Sequence, residues 1–280
     1  MTGTAPDPNL EVSVGVDLGG TDTRVVALDL DGTVRRDTTL PTPHDLPPSQ
    51  AVAVLADVIA DSLRSPPGHP GLRVVGVGIG ASGPIDPHGV IRNPDTLPAF
   101  SGAPLTHLVA EQLGVPCVID NDAVTAAIGE HRHGAGRGSA ALLTVTLGTG
   151  IGVGLLLAGA PVRAADGSHP EAGHLTIGEP APACYCGLLH CWEQAASRTA
   201  LERLTSGQTT DIAARAQAGD TSSQDLFRRY GALVGELAGR LRPKRQRSPG
   251  TRRGGGTGTV GARYVKACVT GWWLRRPAVP

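Results

Sequence analysis

The run Val12-Ser13-Val14-Gly15-Val16-Asp17-Leu18-Gly19-Gly20-Thr21 decides the fold. Val12–Leu18 is a short apolar stretch that ends in two glycines, as a strand ends in a tight turn. Thr23–Leu30 is a second β-like run, and Asp31-Gly32 is a hairpin turn signal before Thr33 and Val34. The chain is thus expected to open with an antiparallel meander. The same architecture returns further on, with a strand over Ala140–Leu147, a turn over Gly148–Gly150 and a strand over Ile151–Leu157.

Between the two meanders, strand and helix patterns alternate. Pro41–Pro48 reads as a loop, and Ser49–Arg64 has helical apolar spacing with Ser49 as the N-cap. Pro66–Pro70 breaks it. Arg73–Gly80 reads as a buried strand, Leu105–Leu113 as a helix and Val115–Ile119 as a strand closed by Asp120-Asn121-Asp122. Ala123–Arg132 reads as a helix. Such alternation predicts an α/β fold. Residues 158–190 are loop-rich, and Trp192–Leu204, Thr209–Ala218 and Ser222–Leu241 read as helices. Beyond Leu241 no periodicity is legible.

The 280 residues include 25 basic and 25 acidic side chains, with 40% apolar and only 3% aromatic residues. The core must therefore be built from Val, Leu, Ile and Ala. No apolar run approaches the ~18 residues of a membrane span, and Met1–Leu10 has neither the basic nor the apolar part of a secretory signal. The expectation is a cytoplasmic protein. Its five cysteines, clustered as they are, then suggest metal rather than disulfides.

Each glycine turn offers backbone N–H groups and a threonine hydroxyl, a combination that cradles phosphate oxygens. Asp17, Gly19, Gly20 and Thr21 form the first set, and Gly148, Thr149, Gly150 and Gly152 the second. Asp17 at a strand end is placed to hold Mg²⁺ through water. A plain tight hairpin is the alternative for either turn alone. Two such turns fit a nucleotide held between two lobes.

Asp17–Thr21, Asn121-Asp122 and Gly148–Gly152 together resemble the ROK family of sugar kinases and repressors, nearest to its bacterial glucokinase branch. The likeness runs over roughly residues 12–240. It implies a two-lobed, actin-like (ribonuclease H-like) ATPase fold with a structural zinc loop, using ATP, Mg²⁺ and Zn²⁺. The lobes expected are residues 11–120 and 121–241. One departure is Asp22, where many members carry a basic residue.

Asp122 follows a strand and opens a helix, so helix capping is its plain role. Its chemical role would be general base, accepting the proton of a sugar hydroxyl as that hydroxyl attacks the γ-phosphate. The resemblance implies that role, and implies that Asn121 bonds the sugar. Asp120 is expected to be structural.

Cys184, Cys186 and Cys191 follow a C-x-C-x₄-C spacing, with His174 ten residues upstream. Three thiolates and one imidazole complete a closed, structural zinc set. Cys117 reads as core, and Cys268 is assigned nothing. Glu171-Ala172-Gly173-His174 and Cys184–Glu193 also resemble the zinc motif of the ROK family. The resemblance implies that Glu171, His174 and Glu193 contact sugar hydroxyls, His174 using one ring nitrogen for zinc and the other for sugar. Pro170 and His190 stand where glycine is usual, and His190 is a minor rival as a ligand. Gly83-Pro84-Ile85 and Asn93 fall in a region that lines the family's sugar pocket. His131 and His133 read as solvated helix-end residues.

The function expected is ATP-dependent phosphorylation of a hexose, most simply glucose, at its primary hydroxyl. The alternative is a sugar-binding sensor without catalysis. The eleven or so residues before the first strand are too few for a helix-turn-helix, which speaks against a repressor and a nucleic-acid partner. A homo-oligomer, by resemblance a dimer, is expected.

The last acidic residue is Glu236. Residues 237–280 then carry eleven basic side chains, against 14 basic and 25 acidic in residues 1–236. The abrupt change suggests a shifted reading frame over residues 242–280, which would leave the adenosine side incomplete and impair activity. A genuine basic extension and a divergent folded end are the alternatives.

Overall fold

The computed structural model describes residues 9–64, 71–241 and 267–270. The chain divides into two units. The first comprises residues 1–125 and 163–169, and the second residues 126–162 and 170–280.

The first unit is built on β1 (Asn9–Leu18), β2 (Asp22–Asp29), β3 (Val34–Pro41), β4 (Gly71–Ala81) and β5 (Cys117–Asn121). Their order is β3-β2-β1-β4-β5. The first three form the expected antiparallel meander, and β4 and β5 join in parallel. In β1, Val12, Val14, Val16 and Leu18 point inward, and Val25 and Ala27 of β2 join them. The turn between β2 and β3 is the expected Asp31-Gly32, with Gly32 at φ 81. Asp29 braces it by accepting the N–H groups of Asp31 and Thr33.

Helices α1 (Pro48–Ser62) and α2 (Leu105–Leu113) cover this sheet. Val52, Leu55 and Ile59 of α1 and Leu105 and Val109 of α2 enter the core, each worth about 1.5–3 kcal/mol of apolar burial. Ser49 is not the cap of α1. The helix starts one residue earlier, behind Pro47 and without a side-chain cap, because proline is preset for a first turn. Strand β5 is displaced towards the C-terminus relative to the sequence reading. Pro116 has no N–H for a ladder and offers only its carbonyl, to Val77. Asp120 and Asn121 instead complete the ladder, opposite Gly80 and Ala81. Helix α3 (Asp122–Arg132) follows at once and runs into the second unit.

The second unit repeats the pattern with β6 (Ala141–Leu147), β7 (Ile151–Leu157), β8 (Ala160–Pro161) and β9 (Ala267–Thr270), in the order β8-β7-β6-β9. β9 lies parallel to β6. No periodicity is legible beyond Leu241 because four residues are too short to display one. The rest of the basic tail, and with it the expected frame shift, lies outside the described residues.

A 3₁₀ turn at Ala172–His174, α4 (Trp192–Ala196), α5 (Arg198–Leu204), α6 (Thr209–Gln217) and α7 (Thr221–Leu241) complete the unit. The single helix expected over Trp192–Leu204 is two. Buried Ser197 adopts an extended backbone and its Oγ accepts the Ala200 N–H, capping α5. Trp192, fully buried, donates its indole N–H to the Leu233 carbonyl and ties α4 to α7. His131 is half-buried, with a ring nitrogen 3.2 Å from the Ser139 carbonyl, whereas His133 is exposed as expected. Among the described residues no helix is long and apolar enough to cross a membrane.

Candidate functional site

In the first unit, parallel β4 and β5 end side by side, and their ends carry the polar groups. Asn121 is buried, and its Oδ1 accepts the N–H groups of Ala123 (2.9 Å) and Val124 (3.2 Å). Asn121, not Asp122, is therefore the cap of α3. Its Nδ2 donates to the Gly83 carbonyl at 3.2 Å. Much of the side chain's bonding capacity is thus spent inside the protein.

Asp122 is the first helical residue. Its Oδ2 accepts from Ser82 Oγ at 3.0 Å and its Oδ1 from the Ala123 N–H at 2.7 Å. The carboxylate is half-buried and held at two points. Ser82 was not singled out from sequence. It follows β4 as Asp122 follows β5, and the adjacency of two parallel strand ends is the signal that finds it. Beside it, Gly83 lies at φ 85 against the Asn93 side chain, and Asn93 Nδ2 donates to the Ser82 carbonyl. Asp120 pairs with Arg163 and accepts the Asn121 N–H, the structural role expected of it.

The first glycine turn follows β1. The Gly19 N–H closes it onto the Asp22 carbonyl at 3.2 Å, so this donor is not available to a ligand. Thr42 and His44 support the turn from outside, with Thr42 Oγ1 donating to the Gly19 carbonyl and a His44 nitrogen 2.7 Å from the Gly20 carbonyl. A Cβ on Gly20 would sit 2.3 Å from the Thr96 methyl. Asp17 is on the exposed face of β1, yet the protein around its carboxyl group displaces water and raises its pKa, with Arg24 pulling it down. A bound cation would relieve that desolvated charge, so the residue fits a Mg²⁺ partner.

In the second unit the Gly148 N–H likewise closes its turn, onto the Gly150 carbonyl at 3.0 Å. Glu193, buried at the start of α4, accepts the Ile151 N–H at 3.0 Å. Its Oε2 lies 2.2 Å from the place a Cβ on Gly150 would take. Arg198 and Thr199 rise beside the same turn, through Arg198 Nη2 to Thr149 Oγ1 (3.2 Å) and Thr199 Oγ1 to the Thr149 carbonyl (2.9 Å). Neither was expected from sequence, because the contact spans about fifty residues of chain. In both turns the N–H of the first glycine closes the turn and is not among the donors offered outward. Among the described residues, the N–H groups of Gly20, Thr21, Thr149 and Gly150 donate to no backbone carbonyl.

His174, Cys184, Cys186 and Cys191 converge, their ligand atoms all within 4.8 Å of one another. His174 Nδ1 is 3.6 Å from Cys184 Sγ and 3.5 Å from Cys191 Sγ. A tetrahedral zinc with ordinary bond lengths sets that edge at about 3.6 Å, so the four residues fit the ion. Burial pushes the Cys191 thiol up to about 12. Burial acts on Cys184 too, but hydrogen bonds from the Cys186 N–H and from neighbouring side chains outweigh it and lower its pKa. Gly173 lets the 3₁₀ turn approach β7, for a Cβ there would lie 2.0 Å from the Ile151 carbonyl oxygen.

The other His174 nitrogen, Nε2, faces the Tyr185 hydroxyl at 2.9 Å and lies within 4.0 Å of Glu193 Oε2. Tyr185 was missed in the sequence. It is 77% exposed, its ring meets His174 edge-on, and desolvation of its hydroxyl and then the Glu193 carboxylate push the phenol's pKa up. Glu171 is exposed at the mouth of the 3₁₀ turn, its carbonyl accepting the His174 N–H. His190 is not in the cluster. Its Nδ1 is 2.9 Å from the Glu179 carbonyl, and its φ of 58 is the left-handed backbone that glycine tolerates best. Cys117 is half-buried in β5 against the first core, and burial pushes its thiol up to about 11.

The first unit carries a strand-end carboxylate and a glycine turn, the second a glycine turn and a Cys₃His loop, and the ROK family model matches residues 13–242. The chain belongs to the ROK family. Glucokinase of Thermotoga maritima is 34% identical over 197 residues, which are 70% of this chain and 60% of that protein. A ROK glucokinase from Streptomyces griseus, solved with glucose and AMPPNP, is 30% identical with a TM-score of 0.66, over 82% of this chain and 78% of that one. The xylose repressor of Bacillus spizizenii is 29% identical over 80% of this chain and 59% of its own length. This ROK chain thus spans about three fifths of the length of the curated relatives it matches, and its α/β fold is that of the family's sugar kinases.

Proposed function

We propose that the protein transfers the γ-phosphoryl group of ATP to the primary hydroxyl of a hexose, most simply glucose. The observation that carries this is the division of labour at the start of α3. Asn121 caps the helix, so the Asp122 carboxylate is not needed as the cap, and Ser82 and the Ala123 N–H hold it in place. A fixed carboxylate at a strand end can take the proton of an attacking hydroxyl. Phosphoryl transfer asks for little else beyond positioning and charge stabilisation.

The remaining roles follow the same reading. Asn121, Glu171, His174 and Glu193 bond sugar hydroxyls. A sugar hydroxyl taking His174 Nε2 displaces the Tyr185 hydroxyl, whose exposed side chain is able to swing away. The two glycine turns receive the phosphates. Asp17 would hold Mg²⁺, which supplies neutralisation of phosphate charge when bound. His174, Cys184, Cys186 and Cys191 would hold zinc, which supplies rigidity to the loop carrying the sugar ligands.

The likeness to a xylose repressor favours a second reading, sugar binding without transfer. ADP production by the 280-residue chain with Mg²⁺-ATP and a panel of hexoses separates the two. Sugar-dependent turnover is expected. No turnover, with glucose still raising the melting temperature, establishes the second reading instead.

A further inference from the structure

The second glycine turn has an anion at its back. The Glu193 carboxylate is buried against Gly150 and Ile151, so a phosphate chain seated on this turn would have a second anion next to it. The turn therefore needs a cation at its front, and the backbone donors alone do not supply one. Arg198 is the cation in place. Its N–H is anchored to the Gly148 carbonyl at 2.9 Å, and its guanidinium reaches Thr149 Oγ1. Its only ion-pair partner among the described residues is Glu202, one helical turn on, at 3.4 Å and with both side chains nearly half exposed. Such a pair is weak. A guanidinium carries five N–H donors in a planar fork, so Arg198 keeps donors and charge to spare. Arg203, the next cation on α5, is turned instead to the Gln194 carbonyl.

We propose that Arg198 is a phosphate-binding residue. Together with the Thr149 hydroxyl and the Thr149 and Gly150 N–H groups, it grips the outer phosphates of a triphosphate chain. The guanidinium fork offers two parallel charge-assisted bonds to phosphate oxygens and offsets the Glu193 charge behind the turn. The inference rests on reading Leu147–Gly152 as a phosphate turn. The ligand chemistry is the triphosphate itself, which ATP and inorganic polyphosphate share.

The test is calorimetric titration of the full chain with Mg²⁺-ATP and, separately, with Mg²⁺-tripolyphosphate, for wild type, Arg198→Lys and Arg198→Gln. Arg198→Gln is expected to weaken every triphosphate that the wild type binds by about 10- to 100-fold. Arg198→Lys, which keeps the charge and loses the fork, is expected to fall between, and glucose affinity is expected to hold. Binding of ATP alone by the wild type assigns the site to the nucleotide, and equal binding of tripolyphosphate assigns it to the inorganic chain. Unchanged triphosphate affinity in Arg198→Gln with a lowered melting temperature overturns the proposal and makes Arg198 a brace of the turn. A wild type that binds neither ligand overturns the phosphate reading of the turn itself.

Discussion

The turn after β1 and the turn after β6 occupy equivalent points of two sheets. Each joins the first two strands of a meander whose first strand has a parallel neighbour on its other side. Each closes on the N–H of its first glycine. What presses on them differs. The first is supported by Thr42, His44 and the Thr96 methyl, and is flanked by two exposed acidic residues, Asp17 at the end of β1 and Asp22 at the start of β2. The second is supported by charge, with Glu193 behind it and Arg198 beside it. One backbone solution has been given two kinds of surroundings, and the glycines are needed for different reasons. At Gly20 the obstacle is the end of a side chain, whereas at Gly150 it is a buried carboxylate in use as an acceptor.

The largest effect is expected where the second turn has support the first lacks. Gly173→Ala drives a methyl group into the Ile151 carbonyl, and backbone cannot step aside as a rotamer does. A loss of about 3 kcal/mol is expected, with reduced zinc content after purification, read by denaturant titration and metal analysis. Next comes the direct contrast. Gly150→Ala should cost about 2 kcal/mol, because Glu193 must leave the Ile151 N–H. Gly20→Ala should cost under about 1 kcal/mol, because Thr96 can rotate. Equal losses in the two variants would erase the distinction drawn between the turns.

A smaller effect, with a sign that depends on pH, is expected at Asp17. Its pKa is raised in the folded protein by desolvation, so its ionised form costs stability. That cost is absent below the ordinary carboxylate range and complete above the raised value. Asp17→Asn should therefore raise the melting temperature of the ligand-free protein at about pH 8 and leave it unchanged near pH 3. The same change should abolish any gain in melting temperature from Mg²⁺-ATP. Destabilisation at pH 8 would show that the carboxylate serves the fold instead.

The parts of this molecule legible in the sequence are those set by local pattern. The two strand–glycine–strand units follow from apolar runs and turn residues, and the Cys₃His cluster follows from ligand spacing that the structure brings together. What was not legible depends on contacts distant in sequence. Ser82 meets Asp122 across forty residues, Arg198 meets Thr149 across forty-nine, and Tyr185 meets His174 through a loop with no periodicity. The break at Ser197 was hidden because serine is compatible with a helix interior, and only its burial and capping bond reveal the end. The family likeness implied a base at Asp122 and a sugar contact at Asn121, but not that Asn121 caps α3. The hydrogen bonds at the start of that helix reveal the cap.

The division of labour at the start of α3 is tested most directly by Asp122→Asn, with glucose affinity, melting temperature and sugar-dependent ADP production measured together. If Asn121 is the cap and Asp122 the base, turnover falls roughly 10²- to 10⁴-fold, while glucose affinity stays within about threefold and the fold is retained. Turnover within tenfold of wild type, or a melting temperature that collapses with the substitution, would contradict it and return Asp122 to a structural role.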